Sequence, residues 1–180
     1  MLYIYTDGST RICNQRNAEN VGGYGYIVFD EDKRQIIDYY QEEVKNTTNN
    51  IMELTALYRV IEKYGVPPFT RAPKVYTDSA YALKCLTEWY TSWENNGYVT
   101  SKGTPVENQE LIKKAVAALY NDKIVSLHKT KGHTISSKYY DLDNLSFGEA
   151  REKYGNMFAD LLATGESIDK FVTIFNNKYQ

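Results

Sequence analysis

Cysteine is scarce: Cys13 and Cys85 are the only two in 180 residues, and they stand 72 positions apart. That excludes a disulfide framework and a thiolate zinc knuckle, and two loose thiols suit a reducing cytosol. Long apolar runs are missing as well. Nothing approaches the roughly 20 residues that cross a bilayer, and the opening MLYIYTDGST reaches an acid and a turn too soon for a secretory signal. A soluble, cytoplasmic protein with no membrane partner is expected. Nor does one sign of charge dominate: 21 Lys and Arg face 23 Asp and Glu, a net charge of -2, with a pI near 5.8. Bulk electrostatic attraction to nucleic acid is thereby excluded, and such a partner would need a local basic patch. No internal repeat or low-complexity linker divides the chain.

What is present fits one α/β domain with a sizeable core, 42% of the residues being hydrophobic. The many tyrosines are in the first place good half-buried strand residues. Leu2 to Thr6 is a β-prone run ending at Asp7-Gly8-Ser9, which reads as a strand stopping in a turn; Thr10 to Asn20 reads as a loop. Gly22 to Phe29 and Gln35 to Val44 flank Asp30-Glu31-Asp32-Lys33 as an antiparallel hairpin. Behind the capping cluster Asn46 to Asn50, Leu54, Leu57, Tyr58, Ile61 and Tyr64 recur at helical spacing until Gly65 and Pro67-Pro68. Lys74 to Thr77 is a short strand ending at Asp78, and a helical stretch runs on to about Trp93. Thr104-Pro105-Val106-Glu107 matches a capping box opening a helix to about Tyr120; Ile124 to His128 is a last strand and Tyr154 to Ala163 a further helix. The order implies a mixed five-stranded sheet. Its first, fourth and fifth strands are parallel, the hairpin forms an antiparallel edge, and helices cover both faces.

In such a sheet the first and fourth strands flank a topological switch point, where ligands bind beyond the carboxyl ends. Asp7 and Asp78 close those strands, and Glu53 lies in the first turn of the connecting helix, so three carboxylates can converge. Bare carboxylates repel and raise each other's pKa, so such a cluster ordinarily needs a divalent ion to stay ionised. An oxygen-only ligand set suits Mg²⁺ or Mn²⁺ completed by substrate phosphates, which points to phosphoryl chemistry. Each acid also has a plain structural role open to it: Asp7 as a turn residue, Asp78 as a helix cap, Glu53 as a partner of the helix dipole.

Several motifs together closely resemble a type 1 ribonuclease H, over about residues 2 to 163. They are Tyr5-Thr6-Asp7-Gly8-Ser9, Gly22-Gly23-Tyr24-Gly25, Thr47-Thr48-Asn49-Asn50-Ile51-Met52-Glu53-Leu54, Tyr76-Thr77-Asp78-Ser79, Lys131-Gly132-His133, and Gly155-Asn156 with Asp160. The resemblance implies the ribonuclease H-like fold and a two-ion endoribonuclease that cuts the RNA strand of RNA/DNA hybrids, leaving 5'-phosphate and 3'-hydroxyl ends. By it, Asp7, Glu53, Asp78 and Asp160 are the metal-binding carboxylates for two Mg²⁺ ions, with Mn²⁺ as the other candidate. Asp7 bridges both ions, Glu53 and Asp78 serve the leaving-group side, and Asp160 serves the attacking-water side. His133 matches a mobile-loop histidine linked to proton handling or product release. Asn49 and Asn50 match a pair that reads 2'-hydroxyls and base edges in the minor groove, Thr48 belongs to a phosphate pocket, and Trp93 faces the DNA strand while Trp89 is core. Residues 1–163 then form the catalytic domain and 164–180 a helical C-terminal extension, in a monomer.

Departures from the pattern matter too. Where relatives carry a basic protrusion, Glu94 to Lys102 holds one base and one acid, so hybrid affinity has to come from elsewhere. Lys123 to Lys138 is the candidate, with Lys129 and Lys131 the best placed for phosphate, unless it is only a solvated edge. Asn46 stands where many relatives have Arg, Ala80 replaces a polar residue, and Thr134 to Tyr154 is longer than usual, either as a surface insertion or as a lid. A non-catalytic hybrid-binding module on the same fold is the alternative reading, though a dead copy has no chemical reason to keep a repulsive cluster. Asp7-Gly8-Ser9-Thr10 also resembles a phosphate loop of sugar kinases, which need two lobes and far more chain. An aspartyl phosphatase lacks its second acid, since Tyr5 and Ser9 flank Asp7.

Overall fold

The computed structural model describes residues 1–11, 20–132 and 135–180. The five strands are β1 (Leu2–Arg11), β2 (Val21–Asp30), β3 (Gln35–Lys45), β4 (Lys74–Thr77) and β5 (Ser126–Lys129). They form one sheet in the order β3-β2-β1-β4-β5, antiparallel across β1–β2–β3 and parallel across β1–β4–β5. Two-residue alternation assigns the faces. Ile4, Val28 and Val75 point into one core with Leu54, Leu57 and Ile61 of helix α1 (Asn49–Tyr64). Tyr5, Ile27 and Phe29 point into the other, with Tyr154 and Phe158 of α5 (Phe147–Ala163) and Phe175 of α6 (Asp169–Tyr179). The first face is completed by α2 (Ala80–Lys84), α3 (Tyr90–Asn95) and α4 (Gln109–Ala117). Among the described residues no helix is long and apolar enough to cross a membrane.

Four local expectations need correction. β1 does not stop at Thr6: it runs to Arg11 because β2 continues to pair with it, Asp7 opposite Gly25 and Arg11 opposite Val21. Only its parallel pairing with β4 ends there, at Thr6 opposite Thr77. Thr104-Pro105 opens no helix. A turn through Gly103, at φ +80°, returns the chain so that Thr104 Oγ1 bonds Thr100 Oγ1 at 2.7 Å and Val106 N–H donates to Tyr98 O at 2.9 Å. α4 begins later, behind Asn108 in the left-handed region. Trp89 is 38% exposed rather than core. The turn Cys85–Trp89 is a π-helix, whose wider winding inserts a residue into the buried face, and the face resumes at Tyr90 and Trp93. The last helix before the extension, finally, begins at Phe147 rather than Tyr154, and the segment ahead of it is tied to it. Asp141 N–H donates to Tyr154 Oη at 2.9 Å while that hydroxyl donates to Asp141 O at 2.8 Å, and Leu142 is buried against α5.

α6 seals the end of the edge strand β3. The Asn176 side chain takes Ile36 N–H on Oδ1 at 2.8 Å and gives Nδ2–H to Ile36 O at 3.0 Å, pairing backbone groups that an edge strand otherwise leaves to solvent. Phe175 inserts beside it, fully buried against Phe29 and Phe147.

Candidate metal centre

The sheet register places the acids. Because Thr6 and Thr77 are partners in the last parallel rung, the next residues, Asp7 and Asp78, emerge side by side. The rung is tied by Thr6 Oγ1 donating to Tyr76 O at 3.1 Å. Asp78 is not spent as a helix cap: Ser79 caps α2, its Oγ accepting Ala82 N–H at 3.0 Å. Glu53 arrives from α1, whose start is fixed by Thr48 Oγ1 accepting Ile51 N–H at 3.1 Å. The helix approaches β1 closely only because residue 8 is glycine, where a β-carbon would lie 2.4 Å from the Glu53 nitrogen.

One oxygen from each of Asp7, Glu53 and Asp78 falls within 4.8 Å of the others, with Asp7 and Glu53 buried and Asp78 half-buried. Asp7 Oδ1 accepts Gly8 N–H at 2.9 Å, but Asp7 Oδ2 and Glu53 Oε2 are buried without a hydrogen-bond partner. Burial, reinforced by the charges of Glu53, Asp78 and Asp160, lifts the Asp7 carboxyl far above the ordinary range. Burial also lifts Glu53. Leaving two carboxylate oxygens dry and unpaired is costly. A hard divalent cation removes that cost, and an all-oxygen set fits Mg²⁺ or Mn²⁺.

The remaining sequence-derived candidates divide. Asp160, half-buried on α5, is near enough for its charge to act on Asp7, but the 4.8 Å cluster holds only the other three. His133 lies outside the described residues. Gly132 is described, and it is a site residue whose role the sequence did not reveal: a β-carbon there would lie 2.3 Å from Asp78 Oδ2, so the Lys131-Gly132 backbone is laid against the cluster. Its only signal was its place in the Lys-Gly-His motif. Asn49 and Asn50 are exposed at the start of α1, beside Thr48. Trp93 is half-buried and packs against the α1-side core. Lys129 and Lys131 are exposed, Lys129 Nζ donating to Thr130 O at 2.9 Å. Lys123 turns to Glu62 on α1, with 3.7 Å between Nζ and Oε2, and Lys138 lies over the Tyr139 ring.

The chain matches the family model RNase H over residues 1–168. A ribonuclease H from Clostridium botulinum is 33% identical over 155 residues, covering 85% of this chain and 97% of the relative. A crystal structure of LC9-RNase H1, described as a type 1 RNase H with the type 2 active-site motif, matches with a TM-score of 0.58. It is 27% identical over 92% of this chain and 73% of the other. A foamy viral protease-reverse transcriptase, solved in complex with an RNA/DNA hybrid, shares the fold at a TM-score of 0.68. That chain is 20% identical, and the match covers 91% of this chain and 19% of the viral one.

Proposed function

The chain belongs to the ribonuclease H family, and from that premise we propose that Asp7, Glu53, Asp78 and Asp160 are the metal ligands with which it hydrolyses the RNA strand of RNA/DNA hybrids. The observation that carries the assignment is the pair of buried carboxylate oxygens, Asp7 Oδ2 and Glu53 Oε2, left without protein partners inside a three-acid cluster. The cofactor is a divalent cation, and Mg²⁺, as two ions, is the one proposed. When bound, such ions activate the attacking water and stabilise charge on the leaving 3'-oxygen, giving 5'-phosphate and 3'-hydroxyl ends.

The chain's own groups supply position. Asp7, still within β1, and Asp78, the residue after β4, each lie one step past the last parallel rung, and Glu53 is set by the cap and close packing of α1. Asp160, on α5, acts on Asp7 through its charge from the face opposite α1. Gly132 lies against Asp78, and His133, by the family resemblance, takes the role of proton handling or product release. Asn49 and Asn50 address the minor groove, where a 2'-hydroxyl that both donates and accepts distinguishes ribose from deoxyribose. Thr48 and Trp93 serve the DNA strand, and Lys129 and Lys131 its charge. Residues 1–163 act as the catalytic domain of a cytoplasmic monomer, with 164–180 as a buttress.

The test presents one end-labelled RNA strand alone, paired with RNA and paired with DNA, together with Mg²⁺. Cleavage confined to the hybrid and abolished by EDTA is expected. Hybrid binding without cleavage would leave a recognition module, and cleavage of the RNA duplex would mean that the contacts assigned to the DNA strand, Thr48 and Trp93, do not exclude ribose.

A further inference from the structure

Gly8 and Thr10 are two residues apart on β1 and so face the same way, toward α1. Gly8 lets the helix backbone approach. Thr10 meets the first residue of that helix: its Oγ1 donates to Asn49 Oδ1 at 2.7 Å. Asn49 stands one helical turn before Glu53, at i and i+4, on the side of α1 that faces β1.

An asparagine amide turned by half a revolution exchanges two donors for an acceptor, so an unrestrained Asn49 can present either. With Oδ1 taken by Thr10, its NH₂ group is the part left to face outward. The geometry points to Thr10 as a positioning residue that anchors the Asn49 side chain through Oδ1, with its NH₂ group toward acceptors of the hybrid's minor groove: ribose O2', purine N3 or pyrimidine O2. The inference rests on the reading of Asn49 as a substrate contact. What it adds is that β1, which carries Asp7, also sets the position of that contact three residues further on. Substrate grip and metal ligand are thereby registered on one strand.

The test is a steady-state comparison on an RNA/DNA hybrid with the full chain and Mg²⁺. Thr10→Val keeps the shape and removes the hydroxyl. It is expected to raise KM roughly fivefold, the worth of one ordinary hydrogen bond, with kcat within about twofold and an unchanged melting temperature. Thr10→Ser should restore KM. Asn49→Ala should raise KM by itself, and adding Thr10→Val to it should have no further effect. Asn49→Asp, which has no donor, should do at least as much harm as Asn49→Ala. If Asn49→Ala leaves KM unchanged, the reading of Asn49 fails. If Asn49→Ala raises KM but Thr10→Val does not, the positioning role fails. It fails equally if Thr10→Val keeps its full effect beside Asn49→Ala, or if Asn49→Asp binds like the wild type.

Discussion

Gly8 and Glu53 touch through their backbones: a β-carbon on Gly8 would come within 2.4 Å of the Glu53 nitrogen and 2.5 Å of the carbonyl carbon of Met52. This contact, on the α1 face of β1, sets how far the Glu53 carboxylate reaches toward Asp7. Gly8→Ala is therefore expected to push α1 outward, lowering unfolding free energy by roughly 1–3 kcal/mol, the usual range for overpacking. Turnover should fall by at least about tenfold, because displaced ligands no longer meet the geometry the chemistry requires. The denaturant midpoint and kcat measure the two effects; a normal kcat in a destabilised variant would separate the packing from the site.

Asp7 and Glu53 are both shifted upward, by burial first. Without metal the folded chain therefore retains protons that the unfolded chain releases above about pH 4, and folding loses stability as pH rises from there toward the folded-state values. In EDTA the melting temperature should fall from about pH 5 to about pH 8. Stabilisation by Mg²⁺ should grow over the same interval, since the ion replaces those protons. Asp7→Asn should flatten the EDTA trend, and a flat trend in the wild type would mean that the acids are not the linked groups.

Lys129 and Lys131 are exposed, whereas Lys123 is engaged with Glu62. Replacing Lys129 and Lys131 by Ala should weaken hybrid binding and reduce the log-log salt slope by roughly 0.7 to 0.9 for each phosphate no longer neutralised. Lys123→Ala should leave the slope unchanged. Slopes unchanged from the wild type on replacing Lys129 and Lys131 would make the patch ordinary solvated surface.

Phe175 is fully buried between Phe29 and Phe147 although it lies in the last helix of the chain. Phe175→Ala should cost about 3–5 kcal/mol, the range for truncating a core phenylalanine, measured by chemical denaturation. A loss below about 1 kcal/mol would show that α6 contributes little to stability.

Elements with strong local signals were legible in the sequence. The periodicity and caps of α1, the strand Lys74–Thr77 and the hairpin are where the pattern puts them. The convergence of the three acids at the switch point was legible too, although Asp7 lies within β1 rather than at its end and Glu53 lies beyond the first turn of α1. What escaped depends on distant partners. β1 extends past Asp7 because β2 is there to pair with it, and nothing in Asp-Gly-Ser itself distinguishes that from a turn. The π-turn before Tyr90 moves Trp89 off the buried face, although the residues there favour continuous helix. Thr104-Pro105 has the letters of a capping box, but the returning turn claims Thr104 first. The seal of β3 by Asn176 spans 140 residues and leaves no local trace. Gly8 and Gly132 were visible as motif members, but their purpose, room for a backbone and for a carboxylate, is visible only in three dimensions.

The most direct test of the central claim is a calorimetric titration of the protein with Mg²⁺ near neutral pH, in two buffers of different ionisation enthalpy. The wild type should bind the ion with proton release, the protons coming from Asp7 and Glu53, while Asp7→Asn and Asp78→Asn should lose binding and remain folded. Undiminished Mg²⁺ uptake in those folded variants would contradict the assignment of the metal to this cluster.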